Sequence, residues 1–338
     1  MPRSTTRSVT RCGSPSSPPA SSGGRRVRSR RRSRSKRKKR SSGSRHGGRS
    51  CSTPTRSSRT SPRSFVGKKR GEPPTFAWRT FPQEPGASPG AYLTVPALAL
   101  SGIRTAFTTR HGGVSDAPFA SLNLSYSSGD DAELVRRNRT RALRVVDASL
   151  GSWTGARQVH GTHVVKVGAA ERGAGWDSPA SVVPDADALW TEEPDVALVV
   201  VTADCAPILL ADPPGRRIGV VHAGWRGLVA GIIEEAVRAL GSPTRLAAFI
   251  GPSIGPCCYE VGKDVAVPAA ERLGEVVYRR GDRTHLDLWR GATTALARAG
   301  VHEVWPAALC TRCEPDRFYS HRAGGRGRQG LIARMDPS

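Results

Sequence analysis

The stretches Val196-Ala-Leu-Val-Val-Val-Thr-Ala-Asp-Cys205-Ala-Pro207 and Arg217-Ile-Gly-Val-Val-His222-Ala-Gly-Trp-Arg-Gly227 decide how this chain reads. Each is a short run of Val, Ile or Leu closed by Asp and Pro or by Gly, the pattern of a buried strand. Only a short apolar and turn segment separates them, so the two strands are expected side by side in one sheet. Cys205 and His222 would then meet where strands give way to loops, where proteins of this kind tend to carry their chemistry.

A third residue extends the pair. Gln158-Val-His160-Gly161 precedes Thr-His-Val-Val-Lys-Val, which reads as another strand. One Cys and two His are ligand types that zinc prefers, and three protein ligands leave a fourth position open, as in catalytic zinc sites. Their donor atoms would have to cluster within about 4 Å. The plain alternative is a core thiol and two ordinary histidines, since an isolated Cys on an apolar strand usually packs as a small hydrophobe.

Outward from these strands, helices and strands mix without strict alternation, so the fold class is α+β with a mixed sheet. Asp130–Val146 carries an apolar stripe behind an N-terminal Asp signal. Residues 228–240 repeat apolar side chains at three and four and read as one amphipathic helix ended by Gly241 and Pro243. Residues 246–250 read as a short strand and Asp287–Ala299 as a further helix. Residues 71–100, with Pro82, Pro85, Pro89 and Pro96, read as a lead-in.

Charge divides the chain. The net charge is +24, but residues 1–70 hold 23 of the 52 basic residues and no acidic one. That leaves 29 basic against 28 acidic residues in 71–338, a net of +1. The two expected parts are therefore a basic tail, 1–70, and a folded domain, 71–338. The tail is rich in Arg, Ser, Gly and Pro and is expected to be disordered. It would bind nucleic acid only non-specifically, as a polyanion. Such a composition also arises when a GC-rich frame is read upstream of its true start, and we rank that above a function. Residues 91–103 are too short for a membrane span and contain Pro96. No apolar run follows Arg25-Arg26, so no signal peptide fits. A reducing cytoplasm is expected, with the seven Cys as thiols or ligands.

Further motifs lie in order along the chain. They are Thr109-Arg110-His111-Gly112-Gly113-Val114-Ser115, Ser121-Leu-Asn123-Leu124, Asp185-Ala-Asp187-Ala188 and Gly251-Pro-Ser-Ile-Gly255. Cys258-Tyr-Glu-Val261 and Ser320-His-Arg322 with its Gly/Arg tail follow. Together with the His160, Cys205 and His222 segments, these resemble the YfiH-like, laccase-domain family of purine nucleoside phosphorylases, also labelled polyphenol oxidases. The resemblance runs from about Phe107 to Met335. It implies a layered α/β/β/α arrangement and one zinc on His160, Cys205 and His222. It also implies phosphorolysis of adenosine, inosine, guanosine or methylthioadenosine, and deamination of adenosine. Purine nucleosides and phosphate would be the partners. Copper fits less well, because no multiple His-x-His clusters are visible.

Arg226 sits before an expected helix N-terminus and could bind phosphate, or pair with a surface carboxylate. Asp204 could shuttle a proton or cap a turn. Arg110 and Arg322 lie in Gly-rich basic loops suited to phosphate; Arg326 and Arg328 fit surface loops equally well. Asn123 could contact a sugar or brace its loop. His111 departs from the residue commoner in the family and is given no role. Cys257-Cys258 and Cys310-Thr-Arg-Cys313 read as buried thiols, because a single C-x-x-C is weak evidence for a metal. The rival function is a metal-free Cys-His hydrolase or deamidase, with Cys205 as nucleophile and His222 as base.

Overall fold

The computed structural model describes residues 75–337. The basic tail, 1–70, lies outside the described residues. Fourteen strands and six α-helices are seen among the described residues. The strands are β1 (Ala77–Thr80), β2 (Ala91–Thr94), β3 (Ile103–Thr108), β4 (Trp153–Gly155), β5 (Val164–Lys166), β6 (Ala188–Thr191) and β7 (Ala197–Thr202). Then come β8 (Ala206–Asp212), β9 (Arg217–Ala223), β10 (Ala247–Ile250), β11 (Val277–Arg280), β12 (Arg283–Leu286), β13 (Glu303–Pro306) and β14 (Gln329–Met335). The helices are α1 (Pro96–Ala99), α2 (Ala132–Arg144), α3 (Trp225–Ala230), α4 (Ile232–Leu240), α5 (Lys263–Leu273) and α6 (Leu288–Arg298).

Two six-stranded mixed sheets dominate, ordered β1-β2-β3-β14-β7-β4 and β13-β10-β8-β9-β6-β5. The strand β8 shows why they stack. Leu209 and Ala211 join the core between the sheets, with Phe107, Leu198, Val220, Phe249 and Leu331. Ile208 and Leu210 point the other way, into a core built with α3, α4, α5 and α6. A strand apolar on both faces must be covered on both faces. On the outer face of the first sheet, Ala142, Leu143 and Val146 at and after α2 pack on Ala106, Val199 and Ile332. The layers are thus helix, sheet, sheet, helix, as expected.

The structure differs from the sequence expectation in three places. The segment between Cys205 and Arg217 is itself a strand, β8, so the two quoted strands are not neighbours: β7 belongs to the first sheet and β9 to the second. The expected single helix at 228–240 is two, α3 and α4, broken at Gly231, whose φ of 101° lies in the left-handed region that glycine adopts without steric cost. In the lead-in, β1 and β2 pair at the edge of the first sheet, Pro82, Pro85 and Pro89 fall in the loop between them, and Pro96 opens α1. Four-residue strands carry too few alternations to stand out in sequence. The other two helices form where read: Asp131 caps α2 through the N–H groups of Glu133 and Leu134, and Asp287 caps α6 through that of Arg290.

Leu209 is fully buried between the sheets, whereas Leu100 is 77% exposed. Leu209→Ala should lower unfolding free energy by about 2–5 kcal/mol, and Leu100→Ala by less than about 0.5 kcal/mol. Urea denaturation of the two variants measures the contrast.

Candidate metal centre

Three different segments converge on one point. The chain leaves the first sheet at Thr202, turns through Ala203-Asp204-Cys205 and enters the second sheet at Ala206. Cys205 therefore sits at the crossing between the sheets. In the β8–β9 ladder, Pro207 lies opposite His222 and Ala206 opposite Ala223, which brings the buried His222 beside Cys205. His160 arrives on the loop between β4 and β5. Its nitrogen Nε2 is 3.7 Å from Cys205 Sγ, and the His160 and His222 rings meet edge to face at 4.8 Å. The donor atoms of His160, Cys205 and His222 lie within 4.8 Å of one another.

Close approach here needs missing side chains and unusual backbone. A Cβ on Gly224 would fall 2.8 Å from His160 Cδ2 and 3.0 Å from Cys205 Sγ. His160 (φ 62°) and Asp204 (φ 92°) are both left-handed non-glycine residues, a conformation that costs energy and that the surroundings must enforce.

Asp187 does much of that enforcing. Its carboxylate is fully buried and accepts from His222 Nδ1 at 2.8 Å and from the backbone N–H groups of Val159, His160 and Gly161 at 2.7–3.1 Å. Burial opposes its charge, but the His222 bond and the N–H groups hold the carboxyl below the usual range. Because Nδ1 of His222 donates to Asp187, its other nitrogen is the one turned to the Cys205 side, where loss of its proton would free a lone pair for a metal. Gln158 pins the same loop to the first sheet, donating to Val201 O and accepting from Val201 N. Burial opposes ionisation of Cys205 as well, yet His222 and His160 bring the thiol down to about 6. His222 rises to about 9: burial works against its charge, but Cys205 and Asp187 outweigh it.

The three residues open on a cleft of about 700 Å³. Asp204, Arg226 and Arg322 also line it; Arg110 and Asn123 do not. Arg110 is spent on backbone carbonyls, those of Ala120 and Pro315, and stacks on Tyr319. Asn123 is fully buried and ties Ser125, Ser128, Asp130 and the Arg328 N–H together. Asp204 accepts from Thr311 Oγ1 at 2.6 Å and the Arg322 N–H at 2.8 Å, so its carboxylate braces the turn. Arg322 itself reaches Glu260 O and lies over the Tyr259 ring. The helix after His222 begins at Trp225, not Leu228, and has only six residues, so Arg226 is in its first turn. Among the described residues no carboxylate pairs with Arg226, which lies over the Trp225 ring.

Asp187, Gln158 and Tyr259, which carry no distinguishing signal in the sequence, and Arg328, which fits a surface loop equally well, all surround the centre or its cleft. Asp187 was visible only as part of a motif, since nothing local marks a carboxylate that acts on residues about 30 positions away in either direction. The four Cys outside the centre among the described residues are not all buried thiols. Cys257 and Cys313 are exposed, and all four sulfurs converge.

Residues 104–336 match the family described as multi-copper polyphenol oxidoreductase laccase, and the chain belongs to that family. It is 39% identical to a purine nucleoside phosphorylase of Pseudomonas aeruginosa over 242 residues, covering 70% of this chain and 94% of the relative. It is 41% identical to one of Deinococcus radiodurans, covering 71% and 91%. The crystal structure of YlmD from Geobacillus stearothermophilus has the same fold, with a TM-score of 0.69 at 34% identity over 76% of this chain and 99% of that one.

Two outcomes follow from this geometry. In metal-free protein, carboxymethylation of Cys205 should rise through a midpoint near pH 6, where an ordinary thiol would require pH near 9. Peptide mass spectrometry across pH reads the midpoint. Asp187→Asn keeps the shape but turns one acceptor into a donor, and should weaken metal binding by about 10–100-fold, measured by competition with a chromophoric chelator.

Proposed function

We propose that this chain is a zinc-dependent purine nucleoside phosphorylase acting on adenosine, inosine, guanosine and methylthioadenosine, with adenosine deaminase activity, residues 71–338 forming the enzyme. The observation that carries the reading is the convergence of His160, Cys205 and His222 on a cleft, in a chain whose relatives are named purine nucleoside phosphorylases.

The donor set fits zinc. With bonds of about 2.1 Å to nitrogen and 2.3 Å to sulfur, a tetrahedral centre spaces N and S by about 3.6 Å. The His160–Cys205 separation of 3.7 Å agrees. Two His and one Cys are also a copper set when a weak axial Met completes it. Met335, the single methionine among the described residues, is buried in the core between the sheets. The described residues also hold no cluster of several His, which speaks against a multi-copper oxidase. When bound, zinc would supply Lewis-acid polarisation and activate water near neutral pH.

The chain's own groups supply the rest. Five arginines line the cleft against one aspartate, Asp204, which is already held by Thr311 and Arg322. That balance suits an anion. Arg226, without a carboxylate partner among the described residues, is the best placed to hold phosphate, and Arg328, whose guanidinium donates to the carbonyls of Arg326 and Gly327, adds a second positive charge to the lining. The Tyr126, Trp225 and Tyr259 rings offer apolar faces for a purine. Asn123 acts at one remove, by fixing the Arg328 backbone. The same reading places the enzyme in a reducing cytoplasm. No helix among the described residues is long and apolar enough to cross a membrane.

One observation favours a second reading. Asp187, His222 and Cys205 stand in the order of a nucleophile triad, and the thiol is lowered while the imidazole is raised. A metal-free hydrolase or deamidase would keep its activity in chelator and lose it on alkylation; the zinc enzyme would do the reverse while metal is bound.

The test is the full chain incubated with adenosine, with and without phosphate and chelator, products separated by chromatography. His222→Ala should stay folded by circular dichroism and lose at least about a hundredfold in turnover. Arg226→Ala should weaken phosphate-dependent cleavage more than deamination, because only the first needs the anion. Equal losses in both reactions would make Arg226 structural.

A further inference from the structure

Outside the cleft, Cys257, Cys258, Cys310 and Cys313 bring four sulfur atoms within 4.8 Å of one another. The sulfurs come from two loops that sequence keeps some 55 residues apart. One follows β10 and the other follows β13, and these strands pair in parallel at the edge of the second sheet. The loops continue that pairing: Ser253 N donates to Leu309 O, and Thr311 N donates to Ser253 O. The sheet therefore sets both cysteine pairs at one height.

We propose that these four cysteines form a second, structural metal site that takes one zinc ion on four thiolates. Three observations carry this. Cys313 Sγ lies 3.3 Å from Cys257 Sγ and 3.4 Å from Cys258 Sγ. A disulfide joins one pair only, whereas a tetrahedral centre with bonds of about 2.3 Å holds every sulfur about 3.8 Å from the others. The backbone N–H of Gly255 donates to Cys310 Sγ at 3.2 Å. Such N–H donors orient and stabilise a metal-bound thiolate. Arginines flank the cluster: Arg280 donates to Cys257 O and Arg312 to Cys258 O. Four thiolates on one divalent ion leave a charge of −2, which these guanidinium groups would offset. Loading releases the thiol protons to solvent and involves no redox change. With four protein ligands the site is closed, as structural zinc sites are.

The site would brace the catalytic cleft. Ile254 and Tyr259, on the first loop, line it. Thr311, between Cys310 and Cys313, donates to Asp204, and Ile254 N donates to Asp204 O. A metal joining the loops would hold the turn that carries Cys205.

The test is metal content of the full chain, expressed with zinc and purified without chelator, by plasma mass spectrometry and native mass spectrometry. Wild type should carry two zinc per chain. A Cys205→Ala, His222→Ala double variant should keep one. A Cys257→Ser, Cys313→Ser variant, which leaves the buried Cys310 in place, should lose one. On wild type itself, the four cysteines should resist alkylation until chelator is added, so the result does not hang on a variant's folding. The idea is overturned if the Cys205→Ala, His222→Ala protein holds no zinc, if the four thiols alkylate freely in zinc-loaded wild type, or if non-reducing peptide maps show them as disulfides. One zinc in wild type that survives Cys205→Ala, His222→Ala would support this site and refute the zinc reading of the first.

Discussion

The buried carboxylate of Asp187 is the contact on which the site depends. One side chain receives the imidazole N–H of His222 and three consecutive backbone N–H groups of the His160 loop. It stands one residue before β6, whose antiparallel pairing with β9 sets Ala188 opposite Val221. The sheet register thus fixes Asp187 against His222, and Asp187 fixes the loop. A buried charge so fully hydrogen-bonded resists displacement, since losing any donor leaves a desolvated acceptor.

The cleft forms because two stacked sheets share one chain crossing. Leu198 and Val200 of the first sheet and Leu209 and Ala211 of the second, on either side of Asp204-Cys205, bury into the same core. Around it, glycines admit what side chains would exclude, as Gly224 does between His160 and Cys205. The basic lining comes from Arg139 of α2, Arg157 after β4, Arg226 in the first turn of α3 and the Arg322–Arg328 segment.

The layered architecture and the meeting of His160, Cys205 and His222 were legible in sequence, and the reasons differ. Strands with Val pairs or runs, such as β7 and β9, declare burial by composition, and the ordered motifs carry the rest. Pairing is not legible: β8 follows Cys205 so closely that in sequence its start reads as a connection, which would put β7 and β9 in one sheet, whereas the register puts them in two. Asp187 escaped because a carboxylate's partners are set by sheet register. Arg110 and Asn123 looked like ligands for a substrate because they stand in polar, Gly-rich motifs, yet each is consumed by local carbonyls, N–H groups and side chains. The four-cysteine cluster was missed because adjacent cysteines and a C-x-x-C become partners only once β10 and β13 lie side by side.

The crossing at Cys205 also makes the centre a gauge of tertiary structure. Of the three residues that would hold a metal, His160 and Cys205 stand on connections between the sheets and His222 in β9, so the unfolded chain has no preformed site, and an ion that bound only the native state would stabilise it by RT ln(1 + [L]/Kd). The sheets' docking and the ligands' geometry are therefore one equilibrium seen from two sides. A substitution deep between the sheets, far from any substrate, would register as a change in metal affinity, and metal supply would in turn set how much core damage the fold tolerates.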